Sequence, residues 1–356
     1  MKQMNAYKIK ALLIGILAAA ICLFLVLYRS SMQNTAVTDL TMGTVLTVQI
    51  YGKDADETAD QVIDLVEKLD TEELSWRIPS SELAVMNEAL KHQTEVPVSD
   101  TMYMVLQDSL KLCEDSEGAL DITIHPIIDL WGIETDSPKI PQDTEIQDRI
   151  SHIGYTKLGF KDSSDQLYTG STGMSIDLGA LGKGIAADRV KQLLDSRNVK
   201  GAVVSIGGTI LTYGHKQGGR SWQVGIRNPR GSMSDMLGVL SLKGTHVVST
   251  SGDYEQYFEE NGIRYHHIFD PATGYPADSG LMSVTIVCED GIYSDGLSTA
   301  CFVLGMEDSI ELLELYGADA IFVTTDRQVY VTDGIQESFQ LTDSSYTLCE
   351  MDERGV

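Results

Sequence analysis

The sequence predicts an α+β protein in which mixed and antiparallel sheets pack against helices, preceded by one N-terminal transmembrane helix. Strand-like and helix-like segments follow one another without the regular alternation of a doubly wound parallel sheet, which favours α+β over α/β. A single long apolar run lies near the N-terminus, and no second run of that length follows it. The remaining residues are therefore expected to form a water-soluble body of one extended domain or two small ones.

The apolar run is the first predicted element. Residues 11–28 are 18 residues without a charge, which approaches the length of a helical bilayer crossing. Three lysines precede the run and one arginine follows it, so the positive-inside rule places the N-terminus in the cytoplasm. We therefore expect residues 1–29 to be a cytoplasmic tip and membrane anchor, residues 30–40 to be a polar spacer, and the body of this single-pass protein to lie outside the cell membrane.

Two other interpretations of this segment compete with an uncleaved anchor. A lipoprotein would be cleaved before Cys22, but Ile21 is bulky where a small residue is needed. A cleavable signal peptide fits the small residues at 18–20, yet cleavage there would leave an apolar stub on the mature chain. The uncleaved anchor is preferred, and cleavage by a signal peptidase stays open.

The charge of the chain argues against one class of partner. The sequence has 26 Lys+Arg against 52 Asp+Glu, for a formal net charge of −26. So acidic a chain disfavours binding to a nucleic-acid backbone, and solubility is the simplest use of the excess acid. Any phosphate ligand would have to meet a local basic spot, such as Lys183 or the pair Arg227 and Arg230.

The body from residue 41 onward switches between strand and helix patterns. The predicted strands are rich in β-branched residues and bounded by Gly, Asn, Pro or Ser; they span 41–51, 202–206, 222–227, 246–250, 283–288 and a hairpin at 320–332. The predicted helices carry apolar residues at helical spacing; they span 54–74, 99–117, a segment after the glycines at 182–184, 295–304 and 307–315. One domain over 41–340 is expected, with an acidic tail at 341–356.

A glycine-rich turn at residues 177–184 is the sharpest local signal. An extended segment, a glycine turn and a helix start direct backbone N–H groups at one point, where a phosphate can bind. The run Gly182-x-Gly184-x-x-Ala187 fits a dinucleotide fingerprint, although no acidic residue for a ribose follows the next strand. The alternative is a tight connection between secondary-structure elements with a surface Lys183.

A carboxylate and a hydroxyl recur at helical spacing near the end of the body. Asp295 and Thr299 lie four residues apart, with Ser298 between them, in what is expected to be the first turn of a helix. Such a pair of hard oxygen ligands suits Mg²⁺, which keeps water and phosphate oxygens as its other ligands. The alternative is a helix N-cap, in which Asp or Ser only satisfies free N–H groups.

The segment 266–276 supplies imidazole, carboxylate and a Pro/Gly turn. Histidine is the side chain best suited to take a proton from a hydroxyl near neutral pH. Because neighbours on a strand point to opposite faces, at most one of His266 and His267 is expected to be catalytic.

The order of these motifs along the chain resembles one family, the FAD:protein FMN transferases, formerly described as thiamine-biosynthesis lipoproteins. The matching segments cover the whole body and are Met42-Gly43-Thr44, Ser75-Trp76-Arg77, Ser81-Glu82-Leu83, residues 118–123 with Pro126 and Trp131-Gly132, residues 177–188, Gly207-Gly208, residues 251–254, 265–276 and 295–300. The resemblance implies that residues 41–340 are a catalytic domain.

The resemblance also implies roles for single residues. By likeness to the family, the residues that line the FAD site are Met42, Trp76, Ala119, Leu120, Asp121, Asp177, Lys183, His267 and Ile268. The positions similar to the family's magnesium site are Ala180, through its backbone oxygen, Asp295, Ser298 and Thr299. His267 matches the family's candidate base. Two departures stand out, since the family often has Tyr where Trp76 lies and its common lipobox is absent here.

The activity implied by the resemblance is Mg²⁺-dependent transfer of FMN from FAD to a threonine hydroxyl of an acceptor protein. The products would be a phosphoester-linked flavoprotein and AMP. Two alternatives stay open: hydrolysis of FAD to FMN and AMP by the same site, and a non-catalytic flavin-binding surface protein that would need neither metal nor base.

Overall fold

The structure is a computed structural model, and it describes residues 34–351 except 94, 162–164 and 198. The predicted anchor at 1–29 lies outside the described residues, so it stays a prediction. Within the described part, no helix combines the length and the apolar character needed to cross a membrane. The predicted α+β class is confirmed, because mixed sheets and helices alternate irregularly along the chain.

A nine-stranded sheet forms the centre of the molecule, in the order β1-β2-β6-β7-β10-β13-β14-β15-β17. Its strands are β1 Asn34–Thr41, β2 Thr44–Gly52, β6 Val199–Ile206, β7 Thr209–Gly214, β10 His246–Gly252, β13 Leu281–Cys288, β14 Asp319–Thr324, β15 Gln328–Val331 and β17 Thr347–Cys349. All neighbours pair antiparallel except β15 and β17, which are parallel.

Three small sheets surround the large one. They contain β8 Trp222–Arg227 with β9 Met236–Leu242 and β16 Phe339–Leu341; β3 Val96–Pro97 with β4 Leu158–Phe160 and β5 Gln166–Thr169; and β11 Tyr257–Glu260 with β12 Ile263–His266. The first of these supports the large sheet from one side, and the third leads directly into the segment with the two histidines.

The helices of the described chain are mostly short. They are α1 Ala55–Lys68, α2 Glu82–Lys91, α3 Asp100–Asp115, α4 His125–Trp131, α5 Asp143–Ile150, α6 Gly182–Asp195, α7 Gly291–Leu304, α8 Met306–Tyr316 and α9 Asp333–Gln336. The helix predicted over 54–74 is continuous but changes character, because α1 passes into a π-helical segment at Leu69–Leu74.

The core lies on both faces of the large sheet. All eight residues of β13 are buried. Val284 and Ile286 belong to the same apolar cluster as Leu297 on α7, whereas Met282 and Val287 share a second cluster with Leu240 on β9. Since burial of apolar area is the main stabilising term, this doubly covered strand anchors the central part of the fold.

Two predicted boundaries are wrong. Residues 34–40, assigned to a spacer, belong to β1, an edge strand paired along its whole length with β2. Residues 341–349, assigned to a tail, include the end of β16 and all of β17, and Tyr346 between them is buried. Edge strands face solvent and so carry polar residues, which removes the apolar alternation that would have marked them.

Candidate functional site

The site begins where α6 and α7 cross in close contact. A methyl group at Gly184 would lie 2.1 Å from the carbonyl oxygen of Gly291, so only glycine allows the two backbones to approach this closely. The Asp188 carboxylate on α6 accepts hydrogen bonds from the amides of Gly291 (2.7 Å) and Ile292 (2.9 Å) at the start of α7. The glycine pair and this cap hold the two helices in a fixed relation.

Asp295 lies at this crossing and is nearly inaccessible to solvent. Its Oδ2 accepts the amide of Gly184 at 3.0 Å, and its Oδ1 accepts the hydroxyl of Thr209 at 3.2 Å. Because α7 starts at Gly291, Asp295 belongs to the second turn, so the predicted first-turn position is wrong and the N-cap alternative is excluded. The amide of Gly184 therefore serves this carboxylate, and the glycine turn offers fewer free amides to a phosphate than predicted.

Lys183 places a cation beside that carboxylate. Its Nζ lies 3.4 Å from Asp295 Oδ1 and donates to the carbonyl oxygen of Gly179 at 3.3 Å. A carboxylate and a carbonyl thus hold a positive charge at the start of α6, next to the half-buried Ala180. The oxygen atoms in this place are of the kind that bind Mg²⁺.

Three hydroxyl groups continue the polar surface along α7. Ser298 Oγ donates to the carbonyl oxygen of Asp295 at 2.7 Å, and Ser251 Oγ from β10 lies 2.7 Å from Ser298 Oγ and 3.1 Å from Thr299 Oγ1. Sequence reasoning did not assign Ser251 to the site, although it lies in the matching segment 251–254. We call Lys183, Asp295, Ser298, Thr299 and Ser251 the polar wall.

The two histidines have different environments, as predicted. The His266 ring is buried edge to face against Phe302; its Nε2 donates to the carbonyl oxygen of Ala277 at 3.1 Å, and its Nδ1 accepts the amide of Ile268 at 3.3 Å. Both ring nitrogens are therefore used within the fold, and burial lowers the pKa of His266. This histidine supports the segment and has no free nitrogen for chemistry.

His267, one residue past the end of β12, keeps a ring nitrogen free. Its Nδ1 is buried, and no partner for it is found among the described residues. Burial lowers the pKa of His267 to about 4, with Glu134 raising it and Lys183 lowering it further. The imidazole is therefore neutral at pH 7, although the lowered pKa also makes it a weaker base, and its role as the catalytic base stays a prediction.

Aromatic and charged side chains from loops and from the start of α4 form a second cluster around Trp76. The rings of Trp76 and His125 meet edge to face at 4.5 Å, and the Arg77 guanidinium lies 4.1 Å from the Trp76 ring centre. Arg77 also forms an ion pair with Glu134. Trp76 and His125 line a cavity of about 840 Å³. We call Trp76, Arg77, His125 and Glu134 the aromatic wall.

His125 was missed by sequence reasoning. Its Nδ1 lies 2.9 Å from Ser175 Oγ, its Nε2 has no hydrogen-bond partner in the described chain, and burial lowers its pKa while Asp177 opposes that shift. Burial likewise raises the pKa of Asp177, whose Oδ1 accepts the amide of Gly179 at 2.6 Å. The only available signal was the position of His125 between two matching residues, Thr123 and Pro126.

Other predicted FAD contacts lie in the interior. Asp121 is buried, with Oδ1 accepting the amide (2.8 Å) and hydroxyl (2.6 Å) of Thr123 and Oδ2 accepting the amide of Tyr155 (2.9 Å). Leu120 is buried too, whereas Ala119 is half-buried. The side chains of Asp121 and Leu120 are thus engaged inside the protein, and the predicted contact of this stretch with FAD stays a prediction.

Met42 and Ile268 complete the predicted set. Met42 has a left-handed backbone (φ 52°), and its amide donates to Asp70 at 2.8 Å. Its methyl carbon would lie 3.3 Å from a methyl group at Gly182, so it packs against the start of α6. Ile268 is buried behind His267. The structure therefore brings Met42 and Lys183 to the start of α6, beside Asp295 of α7. The charge of Lys183 contributes to the lowered pKa of His267.

Comparison with known proteins identifies the family of this chain. A model of the ApbE family matches residues 42–322. The chain belongs to the ApbE family. The resemblance found in the sequence is thereby confirmed, because the relatives of this chain carry the same description. One is a FAD:protein FMN transferase of Treponema pallidum, 32% identical over 338 residues that cover 90% of this chain and 92% of that protein.

Solved structures of family members share the fold. The ApbE protein of Thermotoga maritima superposes with a TM-score of 0.79 at 30% identity, covering 86% of this chain and 99% of that one. The apo flavinyl transferase ApbE of Pseudomonas stutzeri gives a TM-score of 0.75 at 30% identity, covering 87% of this chain and 98% of that one. The sheet and helix arrangement described above is therefore that of the family.

Proposed function

We propose that this protein is a FAD:protein FMN transferase that moves FMN from FAD to a threonine hydroxyl of an acceptor protein and releases AMP. The observation that carries the proposal is the match of residues 42–322 to the ApbE family together with a relative that is a FAD:protein FMN transferase, and His267, whose buried Nδ1 has no partner among the described residues, is the proposed base. A binding protein without catalysis would need no such base.

His267 and Lys183 divide the work of the transfer. His267 takes the proton from the threonine hydroxyl, whose oxygen attacks the phosphorus of the FMN half and forms the new P–O bond. The P–O bond to the AMP half breaks, and AMP leaves with the electron pair. We assign to Lys183, whose Nζ lies 3.4 Å from Asp295 Oδ1, the neutralisation of the negative charge that grows on AMP as this bond breaks.

The proposed magnesium site consists of Asp295 and Thr299 of the polar wall and the backbone carbonyl of Ala180. Its donor set is one carboxylate, a hydroxyl and a backbone carbonyl; among the residues described, no cluster of three or more His, Cys, Asp or Glu is arranged for a metal. Hard oxygen atoms with few protein ligands are typical of Mg²⁺ bound together with a phosphorylated substrate. Asp295, Thr299 and the Ala180 carbonyl would hold it, and when bound it would neutralise charge on the leaving phosphate.

The proposed location is outside the cytoplasmic membrane, anchored by residues 1–29. The support is the charge asymmetry around the apolar run. Protease added to protoplasts should digest the body while a cytoplasmic marker stays intact. A body that survives until the membrane is opened with detergent would reverse the proposed orientation.

Incubation of the full chain with FAD, MgCl₂ and candidate acceptors tests the activity. We expect in-gel flavin fluorescence on an acceptor, an added FMN mass at a threonine, and one AMP per flavin transferred. Asp295→Ala should abolish all three while the melting curve stays cooperative. Release of FMN and AMP without labelling of any acceptor would favour the hydrolase, and binding of FAD without AMP would favour the flavin-binding protein.

A further inference from the structure

Ser251 is the member of the polar wall that lies on a strand, whereas the other four lie on α6 and α7. It lies on β10, a central strand with β7 on one side and β13 on the other. Its Oγ reaches two hydroxyls of α7, those of Ser298 at 2.7 Å and Thr299 at 3.1 Å. At Ser251 the strand pairs with Val284 of β13, whereas its pairing with β7 ends at Ser249, so the ladder to β13 holds the backbone of this residue.

Counting protons determines which of these three hydroxyls is the donor in each hydrogen bond. Each hydroxyl has one proton to donate and two lone pairs to accept. Ser298 spends its proton on the carbonyl oxygen of Asp295, so it must accept from Ser251. Ser251 has then spent its own proton, and its contact with Thr299 requires Thr299 to donate. The relay runs from Thr299 through Ser251 and Ser298 to the backbone of Asp295.

This direction leaves the lone pairs of Thr299 free. A hydroxyl binds a cation through its oxygen, so its proton must point to an acceptor away from the ion. Without Ser251, the nearest alternatives for the Thr299 proton are carbonyl groups of the preceding helical turn, and donation to one of them would turn the oxygen. The end of the relay at Asp295 also joins Thr299 and Asp295, two of the proposed metal ligands, in one network.

We infer that Ser251 is a positioning residue that orients the Thr299 hydroxyl for a divalent cation. The inference rests on the proposed function, because it refines the proposed magnesium site. Groups that orient metal ligands typically contribute about ten- to a hundredfold to metal affinity, and we expect about tenfold for this single hydroxyl.

Titration of Mn²⁺ followed by electron paramagnetic resonance, with Mg²⁺ as competitor, tests the inference on the full chain without an acceptor. Ser251→Ala should weaken binding of both ions about tenfold. Ser251→Cys keeps the volume but offers only a weak acceptor, so it should weaken binding similarly, whereas Ser251→Thr keeps the hydroxyl and should restore it.

Ser249→Ala is the matched control. Ser249 is two residues away on β10, so its side chain points to the same face, and its buried hydroxyl has no partner among the described residues. Its removal should leave ion affinity unchanged. Parent-like affinity in Ser251→Ala and Ser251→Cys, with binding lost in Asp295→Ala, would refute the role of Ser251 alone. Parent-like binding in Asp295→Ala would refute the proposed metal site and the inference together.

Discussion

The polar wall and the aromatic wall are built in different ways. The polar wall lies on α6, α7 and β10, and nearly every atom in it has a partner at hydrogen-bond distance. The aromatic wall lies on loops and at the start of α4. The Nε2 of His125 has no hydrogen-bond partner among the described residues, and the Arg77 side chain is largely exposed. The groups proposed for chemistry are thus fixed before substrate arrives, whereas those that would touch a ring can adjust.

His267 provides the largest expected effect, because its charge neighbours come from both walls, Lys183 and Glu134. Loss of a positioned base typically costs about a hundred- to ten-thousand-fold in rate, so His267→Ala should lose transfer by that order with little change in FAD affinity. His266→Ala is the control, since its nitrogens are used inside the fold; it should lower the melting temperature and leave transfer far less affected. A dead His266→Ala beside an active His267→Ala would reassign the base.

The pH dependence of transfer is a second test of His267 as the base. Burial lowers the pKa of His267 from 6.5 to about 4, so the base stays neutral as the pH falls and is lost only near pH 4. We expect kcat/KM for transfer to change little between pH 7.5 and 5.5. An unshifted histidine would lose about tenfold over that range, because protonation removes its capacity to accept a proton. A tenfold loss there would show that His267 is solvated in the working enzyme.

The rigidity of the polar wall is tested at Gly184. A methyl group there meets the backbone of Gly291, which cannot move aside like a side chain, so Gly184→Ala should destabilise the fold by about 1–3 kcal/mol and reduce Mg²⁺ affinity. Gly170→Ala is the control, because a methyl group there would lie 3.8 Å from the carbonyl oxygen of Lys157, which is an ordinary contact. Chemical denaturation measures both variants. Equal stability of the two would mean that the helix crossing yields more easily than its geometry indicates.

The aromatic wall should give the smallest effects. Trp76→Ala should weaken FAD binding roughly two- to tenfold, the usual range for one aromatic contact, and Trp76→Tyr should restore it. Arg77→Ala breaks an exposed ion pair worth about 1 kcal/mol or less, so its effect should stay below about fivefold. Quenching of flavin fluorescence measures each. A larger loss in Arg77→Ala than in Trp76→Ala would mean that the ion pair, and not the ring, holds this wall in place.

More of the candidate site than of the fold could be predicted from the sequence. Helical spacing and glycine turns located the residues of α6 and α7, and the order of motifs located His267, because these signals are local in the chain. Ser251 and His125 were missed because each acts through a partner about 50 residues away, such as Ser298 or Ser175. Such contacts depend on strand and helix packing, which no local pattern encodes.

The fold was predicted where burial imposes a pattern and missed where it does not. β8 was predicted to the residue, and the helix at 99–117 to within two residues of Asp100–Asp115. The start of α7 was predicted four residues late, because the residues around Gly291 show no helical pattern in the sequence. The close approach of Gly291 to Gly184 explains why a glycine is needed there. Long-range pairing, and not propensity, decided these positions.

The strands formed by the last residues of the chain have a consequence for how the protein can be produced. β16 pairs with β9, and β17 lies parallel to β15 at the end of the large sheet. A chain cut after residue 338 would therefore expose unsatisfied strand edges on two sheets at once. Open edges recruit other chains, so such a shortened protein should aggregate during expression even though every residue of the proposed active site is still present.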